Sequence, residues 1–382
     1  MAFSNPMPLP GSLPSPLPPG PMLPSPLPSY YVPDFELELQ GQPIPAVLRA
    51  SVTKVHFEES LEAADRVEVE FANQGLQLLD HPLFELGASM QLSLGYRPAG
   101  ITQVFKGNVT GVDPVFPASG MPTITISAHD YMARLTEGTK ERSFPWFLPD
   151  SLIAVIVAGE NFLITEPDPA AAAVGALNVF NQEPRSQYKQ SDYKFLRQIA
   201  AEYGFDMWVD GDFMNFRFLL PELPPPPVAL TWGQSLVEFS PHHTSIGEAV
   251  AITLKVWIQE IKTELAVQAR WDGDTLSFRV IPAMFAELDQ SVDVSIGYPD
   301  IPLDNPVDAV KWVLGDLRRR INNRTTGKGT SIGDPRLRVG QVISLLGLGQ
   351  TFSGSNYRLT SVSHTLDSSG YKTGFDVRRE LV

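Results

Sequence analysis

Cysteine is absent from this 382-residue chain. The absence excludes disulfide crosslinks, zinc sites built on thiolates, and catalysis by a cysteine nucleophile. Positive charge is also scarce, because 29 Lys and Arg residues stand against 43 Asp and Glu, for a formal net charge of −14. A surface this acidic cannot neutralise many phosphates, so the composition argues against a nucleic-acid-binding protein.

Long hydrophobic runs are lacking as well. The two longest are LIAVIVAG (152–159) and AAAAVGAL (170–177), far below the ~18 residues that a membrane-spanning helix needs. The N-terminus carries no Lys or Arg ahead of an apolar run, as a signal peptide would. We therefore expect a soluble protein without a secretory signal.

Residues 34–140 are written in short bursts in which apolar and polar residues alternate, such as VEVEF, MQLSLGY and TITISAHDY. A period of two is typical of strands with one buried face, and Gly and Pro between the bursts supply turns. Because such strands must close or stack to hide their edges, the pattern predicts a first β-barrel-like or sandwich domain.

Residues 141–230 change to a helical period and predict an α/β module. DSLIAVIVAGE reads as a short helix with Asp150 or Ser151 as N-cap. SDYKFLRQIAAEYG reads as a second helix, capped by Ser191 and ended by Gly204. A hairpin around Asp210-Gly211-Asp212 follows, and PELPPPPVAL (221–230) reads as an extended connector.

Residues 231–382 return to strand-like alternation and predict a second β-barrel-like domain with inserted strands and a helix over 305–323. Asn305-Pro306 favours the helix start. Its predicted apolar stripe consists of Val307, Val310, Leu314, Leu317 and Ile321. Arg318, Arg319 and Arg320 in the last turn suit the helix dipole, and a basic docking site is the alternative.

The candidate catalytic and ligand-binding motifs in the sequence are each incomplete. TTGKGTSIG (325–333) lacks the Gly-Lys-Ser/Thr of a phosphate loop, and GLGQTFSG (347–354) lacks dinucleotide-binding spacing. His242 and His243 are adjacent, so on a strand they point to opposite faces and do not form a metal site. No Gly-x-Ser-x-Gly nucleophile motif occurs. We predict no catalytic residues, no cofactor-binding residues, no cofactor and no metal, and therefore a protein that is not an enzyme.

Three stretches together resemble a known family. SDYKFLRQIAAEYGFDMWVDGD (191–212) is similar to a segment of baseplate hub proteins of contractile-tailed phages and of the hub portion of type VI secretion VgrG spike proteins. Residues 333–379 resemble the C-terminal part of the phage late control protein D family. FELGASMQLSLGY, QVFKGNVTGV and TITISAHDYMARL resemble the first barrel of the hub family.

The resemblance implies a mainly β protein with an α/β insertion, in which two tube-forming barrel-like domains flank a helix-and-hairpin module. It further implies a structural baseplate hub of a contractile phage tail. Such a hub is a homotrimer that adapts the hexameric tail tube to the trimeric central spike and forms part of the conduit. The implied partners are the tube protein, a separate spike protein, and baseplate wedge or tape-measure proteins, at the virion tail baseplate assembled in the host cytoplasm. Neither sequence-specific nucleic-acid binding nor membrane insertion is implied.

Two other functions stay open at this point. The same fold suits the hub of an extracellular contractile injection system or tailocin. A glycan-binding or glycan-cleaving β protein is an alternative of another class, for which exposed aromatic platforms and a pair of carboxylates are required.

The first 33 residues are the remaining feature, because PMPLPGSLPSPLPPGPMLPSPLPSYYVP (6–33) contains no charge and a proline at every second or third position. Composition alone is typical of a disordered tail, whereas polyproline geometry extends ~3.1 Å per residue and gives this stretch a reach of up to ~85 Å. In a hub, we expect an arm that binds a neighbouring subunit or a tube, spike or wedge protein. Its predicted apolar anchors are Leu9, Leu13, Leu17, Met22, Leu23 and Leu27.

Overall fold

A computed structural model describes residues 32–167, 184–217, 228–244, 251–258, 263–272, 277–282, 294–296 and 306–380. Within these ranges the protein is mainly β with a smaller helical part, which confirms the predicted fold class. Residues 1–31, Asn305 and residues 221–227 of the proline connector lie outside the described residues.

The N-terminal region is almost entirely strands. Its elements are β1 (Val32–Leu39), β2 (Gln42–Pro43), α1 (Ala46–Ala50), β3 (Val52–Ser60), β4 (Arg66–Ala72), two 3₁₀ turns (Gln74–Leu76 and Pro82–Phe84), β5 (Ser89–Arg97), β6 (Gly100–Val115), β7 (Thr123–Asp130) and α2 (Met132–Thr136).

The middle region is the predicted helix-and-hairpin module. Its elements are β8 (Lys140–Phe144), α3 (Asp150–Glu160), β9 (Arg185–Gln190), α4 (Asp192–Tyr203), β10 (Asp206–Asp210) and β11 (Phe213–Arg217).

The C-terminal region returns to strands around one long helix. Its elements are β12 (Val228–Thr231), β13 (Leu236–His243), β14 (Ala251–Ile258), β15 (Thr263–Asp272), β16 (Ser277–Pro282), β17 (Val294–Ile296), α5 (Pro306–Asn322), β18 (Thr325–Ile332), β19 (Val342–Leu346), α6 (Gly349–Phe352), β20 (Gly354–Asp367) and β21 (Gly370–Arg379).

Strands from both ends of the chain form one continuous sheet, in the order β13-β18-β21-β20-β3-β4-β7-β6-β5-β1-β2. The two regions meet where β20 pairs antiparallel with β3, with Ser361 opposite Ser60 and Leu366 opposite Val55. The N-terminal and C-terminal strands are therefore joined by backbone hydrogen bonds. The division into separate domains at residues 140 and 230 stays a prediction.

The sheet curls strongly at two places. Phe57 on β3 and Phe105 on β6 are three strands apart, about 14 Å in a flat sheet, yet their ring centroids lie 5.7 Å apart. Phe239 on β13 and Tyr357 on β20 are also three strands apart, and their centroids lie 6.1 Å apart. Side chains can meet across these gaps because the backbone curves around them, so each region has a barrel-like interior.

Helix α4 begins and ends as the sequence predicts. The Ser191 side chain accepts a hydrogen bond from the Lys194 backbone N–H, and Gly204 adopts φ 68° at the C-terminal cap. The hairpin also forms, with Asp210 opposite Phe213 across the turn. These elements form locally because the caps and the turn residues lie within the segments themselves.

The predicted N-cap of α3 is wrong. Pro149 occupies that position and makes no side-chain capping bond, while Asp150 lies in the first turn. The Asp150 carboxylate instead accepts two hydrogen bonds from the Arg185 guanidinium, at 3.0 and 2.9 Å. Ser151 is buried. A tertiary ion pair has thus replaced a local cap.

The buried face of α5 differs by about one position from the predicted stripe. Ala309, Val313, Leu317 and Ile321 are buried, whereas Val310 and Leu314 are half-buried and the Val307 side chain lies outside the described residues. The face is set by packing on both the β14–β15 strand pair and α4. The contact with α4 is close, since a Cβ built on Gly204 would lie 2.9 Å from the Gly315 Cα.

Arg318, which the sequence placed in the last turn as a cation suited to the dipole of its own helix, lies before that turn and binds another helix. Arg318 is 4% exposed and donates a hydrogen bond of 3.0 Å to the Gly204 carbonyl at the end of α4. Arg319 donates at 3.5 Å to the Ala201 carbonyl of the same helix end. These arginines therefore serve the C-terminus of the neighbouring helix, where unpaired carbonyls favour cations.

Candidate assembly interface

None of the predicted arm anchors can be placed. Leu9, Leu13, Leu17, Met22, Leu23 and Leu27 lie outside the described residues. The motifs rejected from the sequence do lie inside: Lys328 is an exposed residue of β18 that pairs with Asp376 at 3.1 Å, and His243 contacts the Thr325 hydroxyl at 2.8 Å. Across the described ranges, no set of three or more His, Cys, Asp or Glu side chains is arranged to hold a metal ion.

Ionised groups meet where β3, the β10–β11 turn and the loop before β19 come together. Arg338 contacts Glu59 at 2.5 Å and Asp210 at 3.2 Å. Burial would lower the pKa of Arg338, but the charges of Glu59 and Asp210 outweigh it and hold the pKa above its ordinary value. One guanidinium thus joins the N-terminal sheet to the module and to the C-terminal strands.

Two further carboxyl groups are buried beside this ion pair. Burial and the nearby charges of Glu59 and Asp130 raise the pKa of Asp65 well above its ordinary value. Burial raises the pKa of Asp130 to about 8, and both of its carboxyl oxygens lack a hydrogen-bond partner among the described residues. We call this contact region of the N-terminal sheet, the module and the C-terminal strands the joint. It holds more acid groups than one guanidinium neutralises.

His364 on β20 lies within the same joint. The Leu337 carbonyl can only accept, so His364 Nε2 carries the hydrogen and donates to it at 3.1 Å. Nδ1 is then the acceptor, facing the Tyr371 hydroxyl at 2.9 Å and the Thr373 hydroxyl at 3.1 Å. Burial lowers the pKa of His364 to about 3, so the imidazole is a neutral structural link. Tyr371 in turn packs against Tyr96, and the Tyr96 hydroxyl donates to the Gly333 carbonyl at 2.9 Å.

A second buried ionic network ties the module to the C-terminal strands. Glu380 is fully buried and contacts Arg378 at 2.8 Å and Arg358 at 3.1 Å. Arg378 also contacts Asp206 of β10 at 2.6 Å, and Arg318 of α5 contacts Glu380 at 3.5 Å. Removing the central carboxylate from such a network would leave buried cations uncompensated.

A cleft of about 830 Å³ opens beside this network, between helices α4 and α5 and the strands β18, β20 and β21. Its charged groups hold one another or the backbone: Arg378 pairs with Asp206, and Arg197 donates to the Leu61 carbonyl at 3.0 Å. The arrangement fixes two helices on the sheet.

Exposed apolar side chains also surround helix α3 of the module. We call this surface the module's apolar face and define it by five exposed side chains: Trp146, Phe147, Leu152, Ile156 and Phe162. Its signal in the sequence is LIAVIVA, which is apolar on every side of its helix. Such a helix is either completely buried or has a face available for a partner.

A family model described as the Alg8 N-terminal domain matches residues 34–368. The chain belongs to this family. The match takes in the N-terminal strands, the module and most of the C-terminal strands, and so includes the module's apolar face. No curated protein sequence matches the chain.

Solved structures show how widely this family's fold is shared. A 43-kDa tail protein of prophage MuSo2 from Shewanella oneidensis has a TM-score of 0.64 at 13% identity, over 91% of this chain and 99% of that one. A tail protein from Neisseria meningitidis MC58 has a TM-score of 0.60 at 12% identity, over 92% and 97% of the two chains.

A secretion protein has the same fold. The E. coli c3393 protein, a type VI secretion component with structural similarity to the T4 bacteriophage tail proteins gp27 and gp5, has a TM-score of 0.54 at 12% identity, over 90% of this chain and 76% of that one. The fold implied by the sequence resemblance to tail and spike proteins is thus confirmed. In the described part of the chain, each helix is too short or too polar to cross a bilayer.

Proposed function

We propose that this chain is the baseplate hub of a contractile phage tail, a homotrimer that adapts the hexameric tail tube to the trimeric spike and forms part of the conduit. The observation that carries the proposal is the pair of curled strand groups joined through β3 and β20. Three chains with two similar units each supply six strand-rich surfaces for a hexamer while keeping threefold symmetry.

The proposed partners are the tube protein, a separate spike protein, and wedge or tape-measure proteins, at the virion tail baseplate. The fold shared with tail proteins supports this setting. The proposed role is structural and non-enzymatic. The buried ionic networks suit it, because they join the N-terminal strands, the module and the C-terminal strands into a unit that can bear load.

The hub of an extracellular contractile injection system or tailocin is a second candidate. The similarity to a type VI secretion component favours it, since that protein serves a secretion machine. Neighbouring genes distinguish the two: capsid and terminase genes support the phage, whereas their absence beside an effector gene supports the injection system.

Mass measurement tests the proposed assembly. We expect light scattering of the full chain, alone or mixed with its spike protein, to give three times the 42.0-kDa mass of one chain, plus the spike in the mixture. Electron micrographs of that complex should show a ring with six similar lobes. A chain that stays monomeric in both samples contradicts the hub.

A further inference from the structure

The module's apolar face has no function in the joints described above, and its chemistry matches the uncharged start of the chain. We propose that this face is the docking site for the proline-rich segment, residues 6–31, of a neighbouring copy. The inference rests on the proposed assembly of several copies and names the contact that joins them.

Phe162 has a backbone conformation that is unfavourable for a residue with a side chain, and its side chain is exposed. Helix α3 ends in a Schellman motif, in which the Phe162 N–H donates to the Gly159 carbonyl at 3.1 Å and the Leu163 N–H donates to the Ala158 carbonyl at 2.9 Å. Phe162 occupies the left-handed position of this motif at φ 59°, where glycine is preferred. Its ring is nevertheless 83% exposed. An aromatic residue in this strained position points to a contact outside the described fold.

Helix α3 continues the face with a stripe of the same kind. Leu152 and Ile156 are four residues apart and 40% and 41% exposed, and Gly159 follows one turn later. A Cβ at Gly159 would meet nothing within 4 Å, so the fold does not require glycine there. Gly159 is therefore a position beside the stripe where a probe side chain can be introduced without a clash within the fold.

The aromatic end of the face suits proline. Trp146 and Phe147 stand edge to face, with centroids 5.9 Å apart, and are 48% and 67% exposed. Proline-rich segments dock on exposed aromatic side chains because their extended helix is already formed and loses little entropy on binding. Aromatic rings next to a leucine and isoleucine stripe therefore match a segment made of proline and leucine.

The absence of charge distinguishes this segment from charged peptides as the occupant of the face. Residues 6–31 contain no charged side chain. Two acids of helix α3 are paired within the module, Asp150 with Arg185 at 2.9 Å and Glu160 with Lys140 at 3.0 Å. Because these acids are already paired, the helix offers little attraction to a charged partner and favours an uncharged one.

The arm is long enough to reach a neighbouring copy. Val32 lies opposite Arg97 beside the β5–β6 turn, and Lys106 follows about 20 Å further along β6. Lys106 pairs with Asp212, whose carbonyl accepts from the Ile164 N–H two residues beyond Phe162. The apolar face of the same chain therefore lies near residue 32, where the arm begins. The reach of the arm, up to ~85 Å, is several times longer than this distance.

Disulfide trapping tests the contact, because the native chain has no cysteine. Full-length Leu17→Cys and Gly159→Cys proteins are mixed and oxidised, and crosslinked pairs are measured on denaturing gels. Position 159 keeps every side chain of the face. The control replaces Gly159→Cys with Gln198→Cys, an exposed position on α4. We expect at least tenfold more crosslinked pair with position 159. Equal yields with both partners overturn the proposal.

Phe162→Gly supplies the second arm of the test. Glycine relieves the left-handed backbone, so the unfolding temperature should not fall, while the crosslink yield between positions 17 and 159 should drop at least tenfold. An unchanged yield overturns the role of Phe162 in docking. A trimer that forms without any crosslink removes this inference and leaves the hub intact, whereas a chain that stays monomeric even with its spike protein removes the hub as well.

Discussion

Two buried titratable side chains at the joint, Asp130 and His364, change the stability of the fold with pH in opposite directions. Asp130 has a folded-state pKa of about 8, above its ordinary 3.8, so its protonated form stabilises the fold below pH 4 and this stability is lost as the pH rises to 8. His364 has a folded-state pKa of about 3, below its ordinary 6.5, so the fold loses stability as the pH falls below 6.5. We therefore expect each residue to be isolated by a substitution that abolishes its titration.

Asp130→Asn should stabilise the protein at alkaline pH, because asparagine has the shape of the protonated acid and never ionises. We expect the free energy of unfolding at pH 8 to rise by at least ~2 kcal/mol, and the gain to vanish near pH 4. Urea denaturation at both pH values measures it. The exposed Asp113→Asn on β6 is the matched control and should show no such change. A gain that is independent of pH contradicts the assignment.

His364→Gln should flatten the acid side of the stability curve. Glutamine can still donate to the Leu337 carbonyl but does not titrate. Between pH 7 and pH 5 we expect the native protein to lose about 2 kcal/mol more than the variant. The difference between the two denaturation curves removes the effect of the nearby acids, which both proteins share. Parallel curves would show that His364 is not held neutral.

At the scale of elements, the contact between α4 and α5 is made backbone to backbone. Gly204 at the end of α4 faces Gly315 in the middle of α5. Arg318 donates a hydrogen bond to the carbonyl of Gly204 itself. Close approach of two helices needs small residues at the crossing. Glycine therefore serves both the left-handed cap and the helix contact.

Gly204→Ala should cost more stability than the same change in a turn. Gly211 in the β10–β11 turn also has a positive φ, of 59°, but a Cβ there meets nothing within 4 Å. We expect Gly211→Ala to cost about 1 kcal/mol of unfolding free energy from backbone strain alone. Gly204→Ala should cost about 1 to 3 kcal/mol more, from overpacking against Gly315. Similar losses in the two variants would mean that α5 yields without strain.

At the scale of the whole molecule, the fold and the proposed assembly draw on different parts of the chain. Both buried apolar clusters begin after residue 32, the N-terminal one at Leu37 and the other at Leu61. The described members of both clusters therefore all lie beyond the arm in sequence. Folding and assembly should therefore respond separately to its removal.

Deletion of residues 1–31 should leave the thermal unfolding midpoint within about 2 °C of the native chain, because the described residues of both cores are all retained. The same deletion should weaken assembly, seen as a lower yield of baseplates or particles from cells. Replacing residues 1–31 with an uncharged Gly-Ser segment of equal length is the control for length alone and should fail like the deletion. A normal yield of particles from the deleted chain contradicts the arm.

Sequence by itself determined the features whose causes are local. Alternation marked the strands, Ser191 and Gly204 marked the ends of α4, and Asp210-Gly211-Asp212 marked the hairpin, because caps and turns act over only a few residues. The joined order of three stretches also indicated the fold shared with tail proteins.

Only the tertiary structure decided the features that depend on distant partners. It paired β3 with β20 and turned Arg318 inward to the end of α4. It bound Asp150 to Arg185 in place of a cap, and left one face of an apolar helix exposed beside Trp146 and Phe162. Burial, pKa and exposure are set by neighbours tens to hundreds of residues away in sequence, and a local pattern carries no record of them.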